Sequence, residues 1–220
     1  MPKQDSTKTD IKICGLKDPA MLEFTLNEGV EMVGFVHFAK SPRHLELGQI
    51  APLIEQCVDR AKSVVLLVNP SRPLLEQVTQ ISPDFIQLHG SETPQMVAGL
   101  IETGQPVLKA LPVGEEKDLA EIAKFVEVGA KILLDARPPK TATRPGGLGE
   151  VFDWNILNVL ERDIEFMLSG GLHPENVAAA IKSTNAIGVD VSSGVESAPG
   201  EKQRQKIQQF IANARMALAS

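Results

Sequence analysis

Several ionisable side chains stand at the carboxyl ends of short apolar runs in this sequence. Cys14 and Asp135 carry the most informative chemistry, because a thiolate can remove a proton and a carboxylic acid can supply one. Asp135 follows three consecutive apolar residues, where packing does not explain a carboxylate. Cys14 by itself is equally compatible with a small packing residue. Lys12 shares the predicted strand face of Cys14 and is a candidate cation for lowering the pKa of the thiol.

Two turns built from small residues predict a phosphate site. Residues 169–171 read Ser-Gly-Gly after one apolar run, and residues 192–194 read Ser-Ser-Gly after the next run along the chain. Glycine lets the main chain approach an anion closely, and main-chain amides bind phosphate. We therefore expect a phosphorylated small molecule to contact Gly170, Gly171, Ser192, Ser193 and Gly194.

Arg43 is a candidate for holding a second anionic group. It lies in the segment KSPRH at residues 40–44, directly after an apolar run. A guanidinium binds a planar carboxylate through two parallel hydrogen bonds. An arginine in a surface loop is equally ordinary, so the sequence leaves both interpretations open.

Short β-rich runs alternate with amphipathic segments along the chain, and this order determines where those side chains meet. The predicted strands are residues 11–14, 32–37, 63–68, 84–89, 106–110, 131–135, 164–169 and 187–191. The predicted helices are residues 20–28, 47–58, a segment after Ser71, and residues 93–102, 115–125, 153–160, 174–181 and 201–217.

Eight strands that alternate with eight helices predict an α/β fold, a single-domain (β/α)8 TIM barrel over residues 11–220. An open doubly wound sheet also fits the alternation, but the first turn, Gly15-Leu16-Lys17, lacks the G-x-G-x-x-G pattern of a dinucleotide fold. Barrel active sites form at the carboxyl ends of the strands, with phosphate commonly held after strands 7 and 8. Residues 1–10 are expected to be a frayed lead-in, and residues 138–149 a surface loop or lid.

Composition excludes several classes of protein. The 220 residues carry a net charge of −6, which argues against a nucleic-acid partner held by phosphate neutralisation. No apolar run is long enough to span a bilayer, so no membrane partner is expected. Two cysteines and a polar start without an apolar signal region favour reduced thiols in the cytoplasm.

Nine short motifs follow one another in an order that resembles the phosphoribosylanthranilate isomerase family, barrel enzymes of tryptophan biosynthesis. They are KICGL at 12–16, GFV at 34–36, KSPR at 40–43, QLHG at 87–90, LDA at 134–136, GG at 146–147, FDW at 152–154, LSGGL at 168–172 and VDVSSGVE at 189–196. The resemblance covers residues 11 to about 215. Together the motifs are highly specific.

The resemblance implies a reaction and roles for the residues. The family converts N-(5-phosphoribosyl)anthranilate into its 1-deoxyribulose 5-phosphate isomer by an Amadori rearrangement, with a cysteine as general base and an aspartate as general acid. By motif these are Cys14 and Asp135, and Arg43 holds the anthranilate carboxylate. The remaining expected substrate-binding residues are His89, Gly146, Gly147, Gly170, Gly171, Asp190, Ser192, Ser193 and Gly194. Leu148 departs from the threonine of many family members, so a hydroxyl contact from that position is not expected.

The resemblance further implies a monomer that uses no cofactor and no metal ion. Two other functions remain open from the residues alone. His37, His89, Asp135 and Asp190 are the residue types that a metal-dependent phosphosugar epimerase needs. A phosphosugar-binding barrel without turnover would keep the phosphate turns, but it would need neither Cys14 nor Asp135.

Overall fold

A computed structural model describes residues 10–137, 142, 146, 147, 149, 152–161 and 163–218. Its eight parallel strands close into a barrel in chain order, with β8 pairing to β1. The strands are β1 Asp10–Cys14, β2 Met32–Val36, β3 Lys62–Leu67, β4 Phe85–Leu88, β5 Val107–Val113, β6 Lys131–Ala136, β7 Phe166–Leu168 and β8 Gly188–Val191. The predicted (β/α)8 TIM barrel is confirmed.

Helices cover the outside of the barrel. They are α1 Pro19–Asn27, α2 Leu47–Cys57, α3 Arg72–Gln80, α4 Pro94–Glu102, α5 Ile122–Val126, α6 Val177–Ser183 and α7 Arg204–Leu218. The side-chain oxygens of Asp18, Ser71 and Thr93 cap α1, α3 and α4, and each cap is followed by a proline in the first turn. These capping signals explain why the amino-terminal ends of the three helices could be located from the sequence.

Three predicted helices differ from the structure. Trp154–Val159 forms a 3-10 helix, because Asp153 caps it and its asparagine and β-branched residues favour an α-helix only weakly. Glu116–Glu121 is also a 3-10 helix and leads into the short α5. The last predicted helix begins late, because two short strands, β9 Glu196–Ala198 and β10 Glu201–Lys202, form a hairpin before α7.

The barrel interior is filled in layers. Met32, Val64, Leu108, Ala110, Leu133 and Met167 form an apolar cluster inside the barrel. Cys14, Val36 and Leu66 form a separate cluster at the carboxyl ends of their strands. A much larger cluster lies between the sheet and the helices and includes Cys57. The interior is therefore a packed core, and a cavity opens at the end where the strands finish.

The described residues include only a part of the predicted N-terminal lead-in and of the predicted lid. Asp10, which we assigned to the lead-in, is the first residue of β1. Residues 1–9 lie outside the described residues, as do Leu148 and most of 138–149. No helix within the described ranges is long and apolar enough to cross a bilayer.

Candidate active site

A cavity that is partly open to solvent lies at the carboxyl ends of the barrel strands. All but one of the predicted site residues line it, and they come from six strands or the loops that follow them. The lining includes Cys14, Arg43, Gln87, His89, Asp135, Gly146, Gly147, Ser169, Gly170, Gly171, Asp190, Ser192 and Ser193. Gly194 is the exception: a Cβ atom there would lie 1.9 Å from the carbonyl oxygen of Leu172, so this glycine permits close main-chain packing behind the cavity.

Cys14 ends β1 at one side of the cavity, above a buried ion pair. Lys12 Nζ lies 2.8 Å from Asp190 Oδ1, because the parallel register of β1 and β8 places these two residues side by side. Asp190 Oδ2 accepts a hydrogen bond of 3.0 Å from Ser169 Oγ. Both charges of the pair are therefore partnered, as buried charges must be.

Burial raises the pKa of the Cys14 thiol above its usual range. The Lys12 ammonium lowers this pKa, and the Asp190 carboxylate raises it by a smaller amount. The sequence hypothesis about Lys12 therefore has the right sign, but burial outweighs the effect of the cation. Only the ionised fraction of Cys14 can act as a base, and burial makes this fraction smaller.

Asp135 is the next-to-last residue of β6 and contacts a histidine. Its Oδ2 atom lies 3.0 Å from His89 Nε2, and its Oδ1 atom accepts a hydrogen bond from the Ala136 amide. Gly146 lies over the pair, since a Cβ atom at this position would stand 2.6 Å from both Asp135 Oδ2 and His89 Cε1. The Asp135 carboxylate and the His89 imidazole therefore meet on the cavity wall next to Gly146.

A second buried ion pair fixes the loop that carries His89. Lys109 Nζ lies 2.7 Å from Glu92 Oε2 and donates a hydrogen bond of 2.8 Å to the Gly90 carbonyl. Glu92 in turn accepts hydrogen bonds from the amides of Gly90 and Asn69. The main chain directly after His89 is therefore held in place by hydrogen bonds of Gly90 to Lys109 and Glu92.

Arg43 is buried and already bound to a carboxylate of the protein. Its Nε and Nη2 atoms each donate a hydrogen bond of 2.7 Å to Glu196, and its side chain is 4 % exposed. The sequence analysis placed Arg43 in a surface loop, where it could offer two parallel hydrogen bonds to a ligand. In the structure this side chain is buried, and two of its nitrogens are bound to Glu196. The remaining nitrogen, Nη1, points toward Gly147, where a Cβ atom would lie 2.6 Å away.

The glycine turn after β7 brings the main chain close to the cavity. Gly170 and Gly171 have φ values of +86° and +63°, which residues with side chains rarely adopt. A Cβ atom on Gly170 would lie 2.3 Å from the Ala136 nitrogen. After β8, Ser192 Oγ donates a hydrogen bond of 3.0 Å to the Cys14 carbonyl, which joins the second turn to β1.

The four candidate epimerase ligands do not form a metal site within the described residues. His37 lies outside the cavity lining, and its Nδ1 atom is 2.8 Å from the Leu45 carbonyl oxygen. The described residues bring three possible metal donors together only at His37, His44 and Glu46. That group does not include Asp135 or Asp190, so the donor geometry does not favour the epimerase.

Three features of the site were missed from the sequence: two contacts of Glu196 and one buried polar atom without a partner in the described residues. Glu196 was quoted only as the end of a motif, and its contact with Arg43 spans 153 positions. Lys202 was assigned to the last helix, but it lies in β10 and binds Glu196 at 2.8 Å. Gln87 is buried, and its Oε1 atom has no hydrogen-bond partner within the described part of the chain. For Gln87 alone the sequence offers a signal, because a polar residue stands there near the end of an apolar strand.

Comparison with known proteins decides the family. Residues 11–213 match the family model for N-(5'phosphoribosyl)anthranilate (PRA) isomerase. The chain belongs to the PRA isomerase family. The family resemblance inferred from the motifs is confirmed.

Relatives of the PRA isomerase family match along almost the whole chain. The N-(5'-phosphoribosyl)anthranilate isomerase of Rhodopseudomonas palustris strain BisB5 is 49% identical and covers 93% of this chain and 95% of its own. A monomer generated from the dimeric phosphoribosylanthranilate isomerase of Thermotoga maritima has a TM-score of 0.82 at 31% identity, covering 94% of this chain and 99% of its own. A phosphoribosyl anthranilate isomerase in complex with reduced 1-(o-carboxyphenylamino)-1-deoxyribulose 5-phosphate matches with the same TM-score, identity and coverage.

Proposed function

We propose that this chain converts N-(5-phosphoribosyl)anthranilate into 1-(2-carboxyphenylamino)-1-deoxyribulose 5-phosphate, a step of tryptophan biosynthesis, with Asp135 as general acid and Cys14 as general base. The observation that supports this assignment is that the two residues, from β6 and β1, line one cavity together with the small-residue turns after β7 and β8. A thiol and a carboxyl group on one cavity wall can supply the base and the acid that this isomerisation needs.

The first step is the opening of the ribose ring. The anthranilate nitrogen donates its lone pair toward C1, the bond from C1 to the ring oxygen breaks, and Asp135 gives its proton to that oxygen. The product is an open-chain protonated Schiff base. His89 Nε2, 3.0 Å from the Asp135 carboxylate, is placed to stabilise the carboxylate that remains.

The second step moves a proton from carbon. The iminium group makes the hydrogen on C2 acidic, and the Cys14 thiolate accepts this proton. The electrons of the C2–H bond form a double bond between C1 and C2, and the iminium nitrogen becomes an amine. The resulting enol-amine then takes up a proton at C1, the hydroxyl group on C2 loses its proton, and the ketose forms.

Binding groups surround this pair. Main-chain amides of the turns at Gly170 and Ser193 would hold the phosphate, and Arg43 Nη1 would meet the anthranilate carboxylate. Gln87 also lines the cavity, and its buried Oε1 atom has no hydrogen-bond partner among the described residues. Each charged part of the substrate would thereby find an opposite charge or a donor.

The direct test is the loss of anthranilate fluorescence when the substrate is added to the purified chain. We expect turnover at an unchanged rate in excess chelator, as acid and base groups of the protein suffice. Absence of turnover would overturn the proposed function. A rate that vanishes in chelator and returns with a divalent metal would instead support the epimerase type of site.

The cytoplasm and a monomeric state are parts of the same proposal. Both cysteines are free in the structure, which fits a reducing compartment. This chain by itself supplies Cys14, Asp135 and residues of both small-residue turns to the cavity. Light scattering at assay concentration should give the mass of one chain, and a mass twice as large would contradict the monomer.

Replacing Lys12 with methionine should move the rising limb of the pH profile of kcat/KM to higher pH. A general base acts in its unprotonated form, so activity rises through its pKa, and Lys12 lowers the pKa of Cys14. The variant also leaves Asp190 buried without its ion-pair partner, which should cost about 3–5 kcal/mol of stability.

The matched control is the double variant Lys12→Met with Asp190→Asn. It removes both buried charges and should recover much of the stability while the limb stays displaced, because Lys12 affects Cys14 more than Asp190 does. A limb that does not move in either variant would show that Lys12 has no influence on the base.

Replacing Gly146 with alanine should lower kcat/KM by about 10²-fold, the effect expected of a misplacement near 1 Å. The added methyl group would meet Asp135 Oδ2 and His89 Cε1 at 2.6 Å, so the loop or the pair must shift. Gly99→Ala is the control, because Gly99 lies on α4 with no atom within 4 Å of its Cβ position. That variant should gain about 0.5–1 kcal/mol and keep full activity. Equal kinetics in the two variants would contradict the close contact.

A further inference from the structure

A small hairpin after β8 reaches the loop that carries Arg43. The hairpin consists of β9 and β10, which pair in antiparallel fashion before α7 begins. At its turn, a Cβ atom on Gly200 would lie 2.6 Å from the Pro42 carbonyl oxygen, and Lys17 Nζ also binds that oxygen at 3.1 Å. The hairpin is therefore packed directly against the residue that precedes Arg43.

Glu196 in this hairpin is saturated with hydrogen bonds. Its carboxylate accepts hydrogen bonds from Arg43 Nε and Nη2 at 2.7 Å, from the Gly200 amide at 3.1 Å and from Lys202 Nζ at 2.8 Å. The Arg43, Glu196 and Lys202 side chains are each 3–4 % exposed. Few rotational choices remain for the guanidinium, and its Nη1 atom is turned toward Gly147 on the cavity wall.

Lys202 connects this group to the turn after β8. Its Nζ atom donates hydrogen bonds to the Ser192 carbonyl at 2.9 Å and to Ser192 Oγ at 3.3 Å. Burial lowers the pKa of Lys202 to about 8, although Glu196 opposes the shift. The ammonium thus bridges the carboxylate of Glu196 and the turn that is expected to bind phosphate.

The charges of the three side chains do not cancel. Two cations, Arg43 and Lys202, share one carboxylate, Glu196, which leaves a net charge of +1 next to the cavity. A buried excess charge is costly unless a ligand of opposite sign completes the group. One carboxylate on the ligand would bring the net charge to zero.

We propose that Glu196 is a positioning residue that turns the Arg43 Nη1 atom toward the aromatic carboxylate of the substrate, and that Lys202 supplies the positive charge which that carboxylate balances. This inference rests on the proposed function and assigns to the hairpin the recognition of one substrate group. Selectivity for an ortho-carboxylated aromatic ring would then arise from residues that do not react.

Positioning and simple electrostatics predict opposite results for Glu196→Gln. Removing the carboxylate raises the local charge, so an electrostatic role alone predicts tighter binding of an anionic ring. A positioning role predicts weaker binding, because the amide cannot hold two guanidinium nitrogens by charge-assisted hydrogen bonds. Glu196→Asp keeps the charge but shortens the side chain, so only a positioning role predicts a loss in that variant.

The experiment compares two ligands by fluorescence titration of the full chain. One is reduced 1-(o-carboxyphenylamino)-1-deoxyribulose 5-phosphate, and the other is the same compound without the ring carboxylate. We expect both Glu196 variants to reduce the ratio of the two affinities by about 10- to 100-fold, the range for hydrogen bonds between charged groups. Lys202→Met should reduce the ratio as well, and the exposed control Glu76→Gln should leave it unchanged.

The outcomes separate the inference from the proposed function. Turnover by the wild type tests the function, whereas the affinity ratio tests the role of Glu196 independently of turnover. Binding of the uncarboxylated compound reports whether each variant is folded, and Glu196→Asp serves if Glu196→Gln does not fold. A ratio that is unchanged or increased in a folded Glu196 variant would overturn the inference. A reduced ratio accompanied by a higher KM and a nearly constant kcat would support it.

Discussion

Replacing Cys14 with alanine is expected to lower kcat by about 10²- to 10⁴-fold while KM changes little. The side chain is the only sulfur on the cavity wall formed by the described residues, and Lys12 lowers the pKa of its thiol. The loss should fall on the step that breaks the C2–H bond. A substrate deuterated at C2 would therefore show a larger isotope effect on kcat in the variant than in the wild type.

Cys57→Ala is the matched control for this experiment. Cys57 is the second thiol of the chain and the last residue of α2, where burial raises its pKa to about 12. Its replacement should reduce stability and leave kcat unchanged. If Cys14→Ala kept its kcat, or if both variants lost activity equally, the assignment of the base would be wrong.

The pattern of the strands explains why the proposed acid and base could be predicted from the sequence to lie at one rim of the barrel. A barrel strand is buried on both faces, so a polar residue at its last position stands out against the apolar run before it. Asp135 after Ile132–Leu134 is such a case, and the closed sheet then brings it to the same rim as Cys14. Local pattern and fold class together predicted that Asp135 and Cys14 line one cavity, whereas the pattern alone left Cys14 equally open to a packing role.

The environment of Arg43 could not be predicted in the same way. Its carboxylate partner lies 153 residues away in a hairpin of five strand residues. Strands this short show no recognisable hydrophobic periodicity in the sequence. The helical pattern of residues 201–217 also included Lys202, because a lysine fits the start of an amphipathic helix as well as a strand. Arg43 is buried in a charged group because of tertiary packing, and the local sequence does not reveal such packing.

The helix differences have a related cause. Residues 153–160 show apolar spacing that fits an α-helix, but spacing alone does not distinguish the 3-10 form in a segment of six residues. The 3-10 helix that precedes α5 illustrates the same limit. These differences lie on the outer layer and leave the strand ends, and hence the cavity, unaffected.

Replacing Asp135 with asparagine is expected to reduce kcat by at least about 10²- to 10⁴-fold, with a modest change in KM. Asparagine has nearly the same shape, so its oxygen can still accept the Ala136 amide and its nitrogen can face His89. What it lacks is an acidic proton for the ring oxygen of the ribose. Asp163→Asn, an exposed position near the amino-terminal end of β7, removes the same charge and should have no effect.

The double variant Cys14→Ala with Asp135→Asn gives the sharper result. If the two residues act on successive steps of one reaction, the slower step sets the rate, and the double variant should be about as slow as the slower single variant. Losses that multiply fully would show that both groups act in the same transition state. A single-turnover experiment with Asp135→Asn should further show that the ring-closed substrate accumulates, whereas Cys14→Ala should accumulate the open Schiff base.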